Sequence, residues 1–348
     1  MDIRTIDIPE VPSDRRYWLI RTERGKYYRD FREKEFIALG WDYFSNLDDL
    51  KSASLALQVK EKLTGIFKKI YPTEKRPGLA INQMIKFVTD ISIDDIVIIP
   101  SINSNEISIG IVTSTPYIEP PRVNNTSCLD ITKPEYEECP FIKRIHVKWL
   151  TRIKKANVDL RLAKLLNARN TITQADFYAH FIDRSVHSLY YKSGNVHLTL
   201  QVEKKEDVTV DEFAELLSSI QGIVNTHYIS DGRSPLVIKS RVESPGPIEI
   251  IGGAIVVALL AAVIGHLRYG GELSFKMPYI DAELSIKTDG SIGRKLQKLE
   301  EKNRHQEIIL VETHRHKEKI AKINKAEAEK LKRSLKRLKI KPPKDLDK

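Results

Sequence analysis

The sequence predicts an α+β chain made of two unrelated halves, and three observations carry that expectation. Up to about residue 175, short period-two apolar runs alternate with stretches of helical spacing. Residues 250–265, IIGGAIVVALLAAVIG, hold no charge and are bounded by Glu249 on one side and by His266 and Arg268 on the other. From Ser291 to about Ile340 the chain is highly charged and, Gly293 apart, free of Gly and Pro. The expected domains are residues 1–175, residues 180–290 with an apolar helix over 248–267, and residues 291–348 as one long charged helix with a basic tail.

In the first domain, YWLIR (17–21) and IALGWD (37–42) read as strands. A turn at Gly25 and a charged segment with four aromatics (27–36) separate them. Leu47, Leu50, Leu55, Val59, Leu63, Ile66, Phe67 and Ile70 have the spacing of one helix over 46–70, which Pro72 and Pro77 interrupt. Ala80 to Thr89 suits a further short helix. DIVIIPS (95–101) and EISIGIVTS (106–114) pair as a hairpin about the Asn103–Asn105 turn. Residues 115–140 are a Pro- and Asn-rich loop. FIKRIHVKWL (141–150) alternates as a strand, polar at Lys143, His146 and Lys148, and 158–167 reads as a helix.

In the second half, NVHLTLQVE (195–203) reads as a strand, and Thr209 with Glu212 forms a capping box for a helix through about Ile220. GIVNTHYI (222–229) and PLVIKSRVE (235–243) read as two more strands about a turn at residues 231–234, giving β-α-β-β. As a helix, residues 250–265 would span about 24 Å at about 1.5 Å per residue, short of a bilayer core of about 30 Å. Ala254, Ala258, Ala261, Ala262 and Gly265 place small residues on one side. Two readings stay open, a buried or interface helix and a membrane-inserted segment. GELSFKMPYIDAELSIKTDG (271–290) has the pattern of a hairpin. Leu296, Leu299, Leu310, Ile320, Leu331, Leu335 and Leu338 fall near a heptad repeat, but Asn303, Lys317, Asn324 and Glu327 interrupt it. A dimeric coiled coil therefore stays open.

The net charge of +10 is unevenly placed. From Lys330 onward there are nine Lys or Arg against two Asp, a balance of +7, which leaves +3 for the rest. Such a tail holds anionic lipid or nucleic acid by charge, or is simply a solvated, frayed helix end. The two cysteines, Cys128 and Cys139, build neither a disulfide framework nor a four-ligand zinc site and fit a reducing compartment. The N-terminus has no apolar signal region. A cytoplasmic protein is expected, associated with the inner membrane if 248–267 inserts.

YWLIRTERGKYY, FIALGWDYFSNLDDL, NQMIKFVTDISIDDIVIIPS, ISIGIVTS and KRIHVKWL occur in this order over about residues 15–175. Together they resemble the PUA-like, EVE-type domain that precedes the nuclease of Mrr-like restriction enzymes. The resemblance implies a small closed β-barrel that holds nucleic acid, often with a modified or flipped base. Such a site needs aromatic faces for stacking and polar groups for the base edge. Carried onto this sequence, the candidates are Trp18 and Arg21 on the first strand, Trp41 and Asp42 after the second, and Asn82 before the next helix. The competing readings are barrel core for the two tryptophans and a simple salt bridge for Arg21 and Asp42. Lys143, Arg144 and Lys148 are candidate phosphate contacts, or a solvated strand face.

Beyond residue 180 the chain departs from that family. A PD-(D/E)xK nuclease needs two carboxylates for a divalent metal and a nearby lysine. The nearest match is Asp183 with Glu203 and Lys205. No P-loop, GxGxxG, HExxH or GxSxG motif is present. His314 and His316, two apart on the expected helix, would face different directions. No catalytic residue, metal or cofactor is therefore assigned. The expected function is a nucleic-acid-binding sensor, for DNA or RNA and including modified bases, in a bacterial defence or restriction-like system. The C-terminal half would be its effector or assembly element. A degenerate metal-dependent nuclease and a dimerising scaffold are the alternatives.

Overall fold

The computed structural model describes residues 4–120, 138–228, 236–240, 246–269, 273–276, 282–288, 308–314, 317–323 and 325–346. The chain forms two compact units, Asp14–Val186 and a second that joins Met1–Ser13 to His187–Lys348. Strand β1 (Arg4–Asp7) belongs to the second.

The first unit is built on one curled half-barrel sheet. Its strands are β2 (Tyr17–Ile20), β3 (Phe36–Leu39), β4 (Ile96–Pro100), β5 (Glu106–Val112), β6 (Tyr117–Ile118), β7 (Lys143–Lys154) and β8 (Ile172–Gln174), in the order β3-β7-β5-β4-β2-β8 with β6 beside β7. β2 and β4 run parallel; the other pairs are antiparallel. The start of β7 pairs with β3 and its remainder with β5, across a register shift at Ile109 and Gly110 that bends the sheet.

Six helices are described in this unit: α1 (Tyr28–Glu33), α2 (Leu47–Leu55), α3 (Leu57–Ile70), α4 (Pro77–Thr89), α5 (Leu160–Leu165) and α6 (Ala179–Val186). The helix expected over 46–70 is two, because Ala56 takes extended backbone between α2 and α3. Pro77 starts α4 and does not interrupt a helix, since a proline at the first helical position lacks only an N–H that would be unpaired there. Both faces of the sheet are covered. Trp18 and Ile20 point into one core with Phe67, Met84 and Phe87, while Tyr17 and Leu19 point into another with Leu162 and Ile182. Central strands of this kind are apolar throughout, as YWLI and IVII are.

The second unit holds two sheets. One runs β11 (Val237–Ser240), β12 (Gly246–Gly252), β10 (Asn195–Val202) and β17 (Ile340–Lys341), with β9 (Leu189–Lys192) also on β10. The other runs β1, β13 (Leu273–Lys276), β14 (Ala282–Thr288), β15 (Ile308–His314) and β16 (Lys317–Ile323). Among its described residues are the helices α7 (Val210–Tyr228), α8 (Ala254–Tyr269) and α9 (Lys325–Arg337).

Three expectations are corrected here. Residues 222–228 are helical, because Leu216, Ile220, Ile223 and Val224 continue one buried face of α7. Gly222 does not break the helix; a Cβ there would meet the Glu327 carboxylate of α9 at 2.6 Å, so its bareness lets the two helices approach. The apolar run is divided: Ile248 to Gly252 finish β12, paired with β10, and α8 starts only at Ala254. The single long helix over 291–348 gives way to the hairpin β15–β16 and then α9. Leu310 and Ile320 of the heptad series therefore lie on strands, while Leu296, Leu299 and the turn at 231–234 lie outside the described residues.

Helix α8 is apolar all round, and Val257 to Ile264 are buried. It packs against β10 and β12 of one sheet, β13 and β14 of the other, and both α7 and α9. The buried-helix reading of 248–267 is the one the structure bears out, and among the described residues no helix is long and apolar enough to cross a membrane.

The capping box at α7 forms as its sequence implies. Thr209 Oγ1 accepts from the Glu212 amide at 3.3 Å, and Glu212 Oε2 accepts from the Thr209 amide at 3.0 Å. Thr209→Ala should lower the unfolding free energy by about 1 kcal/mol, read as a shift of the urea midpoint at unchanged slope.

Candidate nucleic-acid interface

The corner after β3 is the most chemically loaded point of the half-barrel unit. β3 ends at Leu39, and Gly40 then passes so close to Phe141 that an added Cβ would lie 3.0 Å from its ring. Trp41 follows with a φ of 60°, a left-handed conformation that bulky residues seldom adopt. Lys143, the first residue of β7, fixes this corner. Its ammonium donates to the Trp41 carbonyl at 3.0 Å and to Asp42 Oδ1 at 3.2 Å. Asp42 also accepts the Ile142 amide at 3.3 Å.

The Lys143 side chain is fully buried, and burial lowers its pKa below the usual lysine value while Asp42 opposes that shift. The corner thus holds a half-buried indole and carboxylate in fixed positions. The Trp41 ring meets Phe67 edge-on at 6.1 Å, and Phe67 continues into Phe44 and Tyr71, an aromatic wall from which Tyr43 stands out exposed.

Arg144 lies next to this corner and faces inward. It donates to the carbonyls of Phe141 and Cys139, pairs with Glu119 at 3.4 Å and stacks 4.3 Å from the centre of the Phe36 ring. Lys143 and Arg144 are therefore not phosphate contacts: both are buried and spend their donors on this unit's own oxygens. Lys148 is exposed, as both a phosphate contact and a solvated strand face require. His146, Leu150, Arg152 and Lys154 of β7 are also exposed, but the register shift opposite Ile109 and Gly110 places Arg152, paired with Ser108, on the other side of the sheet from Lys148, paired with Ile111. Arg152 and Lys154 carry the same period-two signal as Lys148 but lie just past residue 150, where the expected strand ends.

Trp18 and Arg21 belong elsewhere. Trp18 is wholly buried, gives its Nε1–H to Asp95 at 2.9 Å and is covered by Arg16 at 4.7 Å, so it offers no face for stacking. Arg21 donates to the carbonyls of Ala168 and Leu166 at the end of α5, and burial lowers its pKa. Its partners are backbone, and that of Asp42 is Lys143, so each has its own bond. Asn82 lies within α4 and is half-buried.

The acid pair of the nuclease reading is not assembled in one unit. Asp183 is in the half-barrel unit, buried and accepting the Tyr17 hydroxyl at 2.6 Å. Burial, and then the contact with Asp183, raise the Tyr17 pKa. Glu203 and Lys205 are exposed at the end of β10 in the other unit, with Glu203 paired to Lys341. Of the two histidines, His314 is on β15 and His316 lies outside the described residues.

Residues 17–179 match the family model of a domain of unknown function, DUF8426. No curated protein and no solved structure matches the chain. The DUF8426 match lies within the half-barrel unit and contains the Trp41 corner, the Lys143 clamp and all of β7.

Cys139, also within the DUF8426 match, gives its amide to Asp30 Oδ2 at 2.7 Å; Cys128 is outside the described residues. Burial pushes the Cys139 thiol up to about 12 from its ordinary 9.0. Because the folded value is the higher, the thiol's contribution to stability is complete below pH 9.0 and is lost as pH rises through about 12. In urea titrations across that window, Cys139→Ala should lose less stability with rising pH than the unsubstituted chain.

Proposed function

We propose that the half-barrel unit is a nucleic-acid-binding module of the PUA-like kind. The observation that carries this reading is the Trp41 corner: an indole in a left-handed backbone conformation, fixed by a buried lysine, with a carboxylate beside it and an exposed tyrosine two residues on. Strained backbone and a buried charge at one surface corner are features that concentrate at ligand sites. A base stacked on an aromatic ring is worth about 1–3 kcal/mol. Asp42 is placed to accept from a base edge, as a carboxylate accepts from the amino group of cytosine. Of the exposed cations of β7, Lys148 faces one side of the sheet, while Arg152 and Lys154, two residues or about 7 Å apart, face the other. Exposed cations of this kind can contact a phosphate backbone.

In this reading the second unit is the assembly or output element of a sensor, and a place in a bacterial defence or restriction-like system follows by association with the domain class. The test is binding of short labelled oligonucleotides, duplex and single-stranded, with and without methylated cytosine. Trp41→Ala should weaken the preferred ligand at least about tenfold, or about 1.4 kcal/mol, with circular dichroism unchanged. Unchanged affinity would remove the corner as a binding site, and global unfolding would make Trp41 core. Lys148→Ala should reduce the slope of log affinity against log salt by about 1 while leaving base preference intact.

A further inference from the structure

The basic C-terminal segment is not a frayed tail but part of the second unit's folded body. Ala328, Leu331, Ser334 and Leu338 of the α9 region are buried, and Leu331 and Leu338 belong to the core around α8. After α9 the chain pairs with β10 through β17. Asp345 then accepts the Ser188 amide at 2.6 Å, the Ser188 hydroxyl at 2.8 Å and the Leu189 amide at 2.9 Å. With one face held in the core and the following segment tied to two strands, the opposite face of α9 is fixed in space.

That face is cationic. At about 100° per residue, Lys330, Lys332, Arg333, Lys336 and Arg337 fall on one side of the helix, away from the buried residues, and all five are exposed. Glu329 is the one acid among them. Lys339, Lys341 and Lys344 extend the exposed row past the helix end. Arg337, Lys339 and Lys341 are paired with Glu215, Glu206 and Glu203, which leaves Lys330, Lys332, Arg333 and Lys336 without a partner among the described residues.

We infer that this face of α9 is a second polyanion-binding surface, made for the phosphate backbone of duplex nucleic acid. Two observations select nucleic acid over a lipid surface. A helix that lies in a membrane interface needs an apolar face to bury there, and the apolar face of α9 is already used in the core. The cations are also held at fixed spacings on an ordered helix, which suits a regular array of phosphates. The surface would act independently of the Trp41 corner and would carry no base preference of its own.

The experiment uses the full chain and a mixed-sequence DNA duplex, with affinity measured by fluorescence anisotropy over a range of salt. In the variant Lys330→Gln, Lys332→Gln, Arg333→Gln, Lys336→Gln, the slope of log affinity against log salt should fall by about 0.9 for each cation in contact, roughly 3–4 in all. The fall should be the same in a Trp41→Ala background, which separates this surface from the corner. The charge-preserving variant Lys330→Arg, Lys332→Arg, Lys336→Arg should keep the full slope, so a loss caused by misfolding is recognisable. An unchanged slope in the glutamine variant overturns the inference. So does loss of binding to phosphatidylserine vesicles with duplex binding intact, which would assign the surface to a membrane.

Discussion

The half-barrel sheet is covered on both faces, and the pairing of its large buried polar side chains follows from this. A strand with both faces buried has no position for a solvated side chain, so the centre of the sheet cannot offer a ligand surface. Polar groups that enter it must be paired, because an unpaired buried charge or donor costs several kcal/mol. The pairs are present: Trp18 with Asp95, Tyr17 with Asp183, Tyr28 with Ser108, Lys143 with Asp42. What remains open to solvent is the rim, namely the corner after β3 and the outer part of β7.

Lys143 links the interior to that rim. A buried ammonium is retained only where its donors are used, and two of them hold the Trp41 carbonyl and Asp42. A left-handed Trp costs about 1–3 kcal/mol unless its surroundings determine it. The two lysine bonds and the close Gly40–Phe141 approach supply that determination. Lys143 is therefore a positioning residue of the corner, not a contact to a partner. The distinction between Lys143 and Lys148 is a matter of sheet face: alternation assigns an odd- and an even-numbered residue of one strand to opposite sides.

Much of this could be read from local pattern. YWLI, IVIIP and NVHLTLQV state their strands through β-branched and aromatic runs, and Thr209 with Glu212 states a helix start. The misreadings share one cause, the dependence of local propensity on tertiary pairing. IILVETH and KEKIAKI contain enough charged residues to pass for a long helix, yet ladder bonds to each other, and of IILVETH to β14, make them strands. GIVNTHYI reads as a strand until Ile223 and Val224 are seen to continue the buried face of α7, against which α9 packs. At the candidate site, the aromatic corner was legible as Trp41 and Asp42. The inward turn of Lys143 and Arg144 was not, since a basic residue on a strand carries no mark of the face it will occupy.

The second unit shows the same logic applied to a helix. α8 has no polar side over most of its length, so it must be enclosed, and two sheets with α7 and α9 enclose it. Enclosure fixes the orientation of each enclosing element. α9 can cover α8 only by turning Ala328, Leu331 and Leu338 inward, and the helical period then turns Lys332, Arg333 and Lys336 outward. The apolar run and the basic tail are distant in sequence and suggest two separate membrane signals. In the folded unit they are one arrangement, in which burying the first dictates where the charge of the second is displayed.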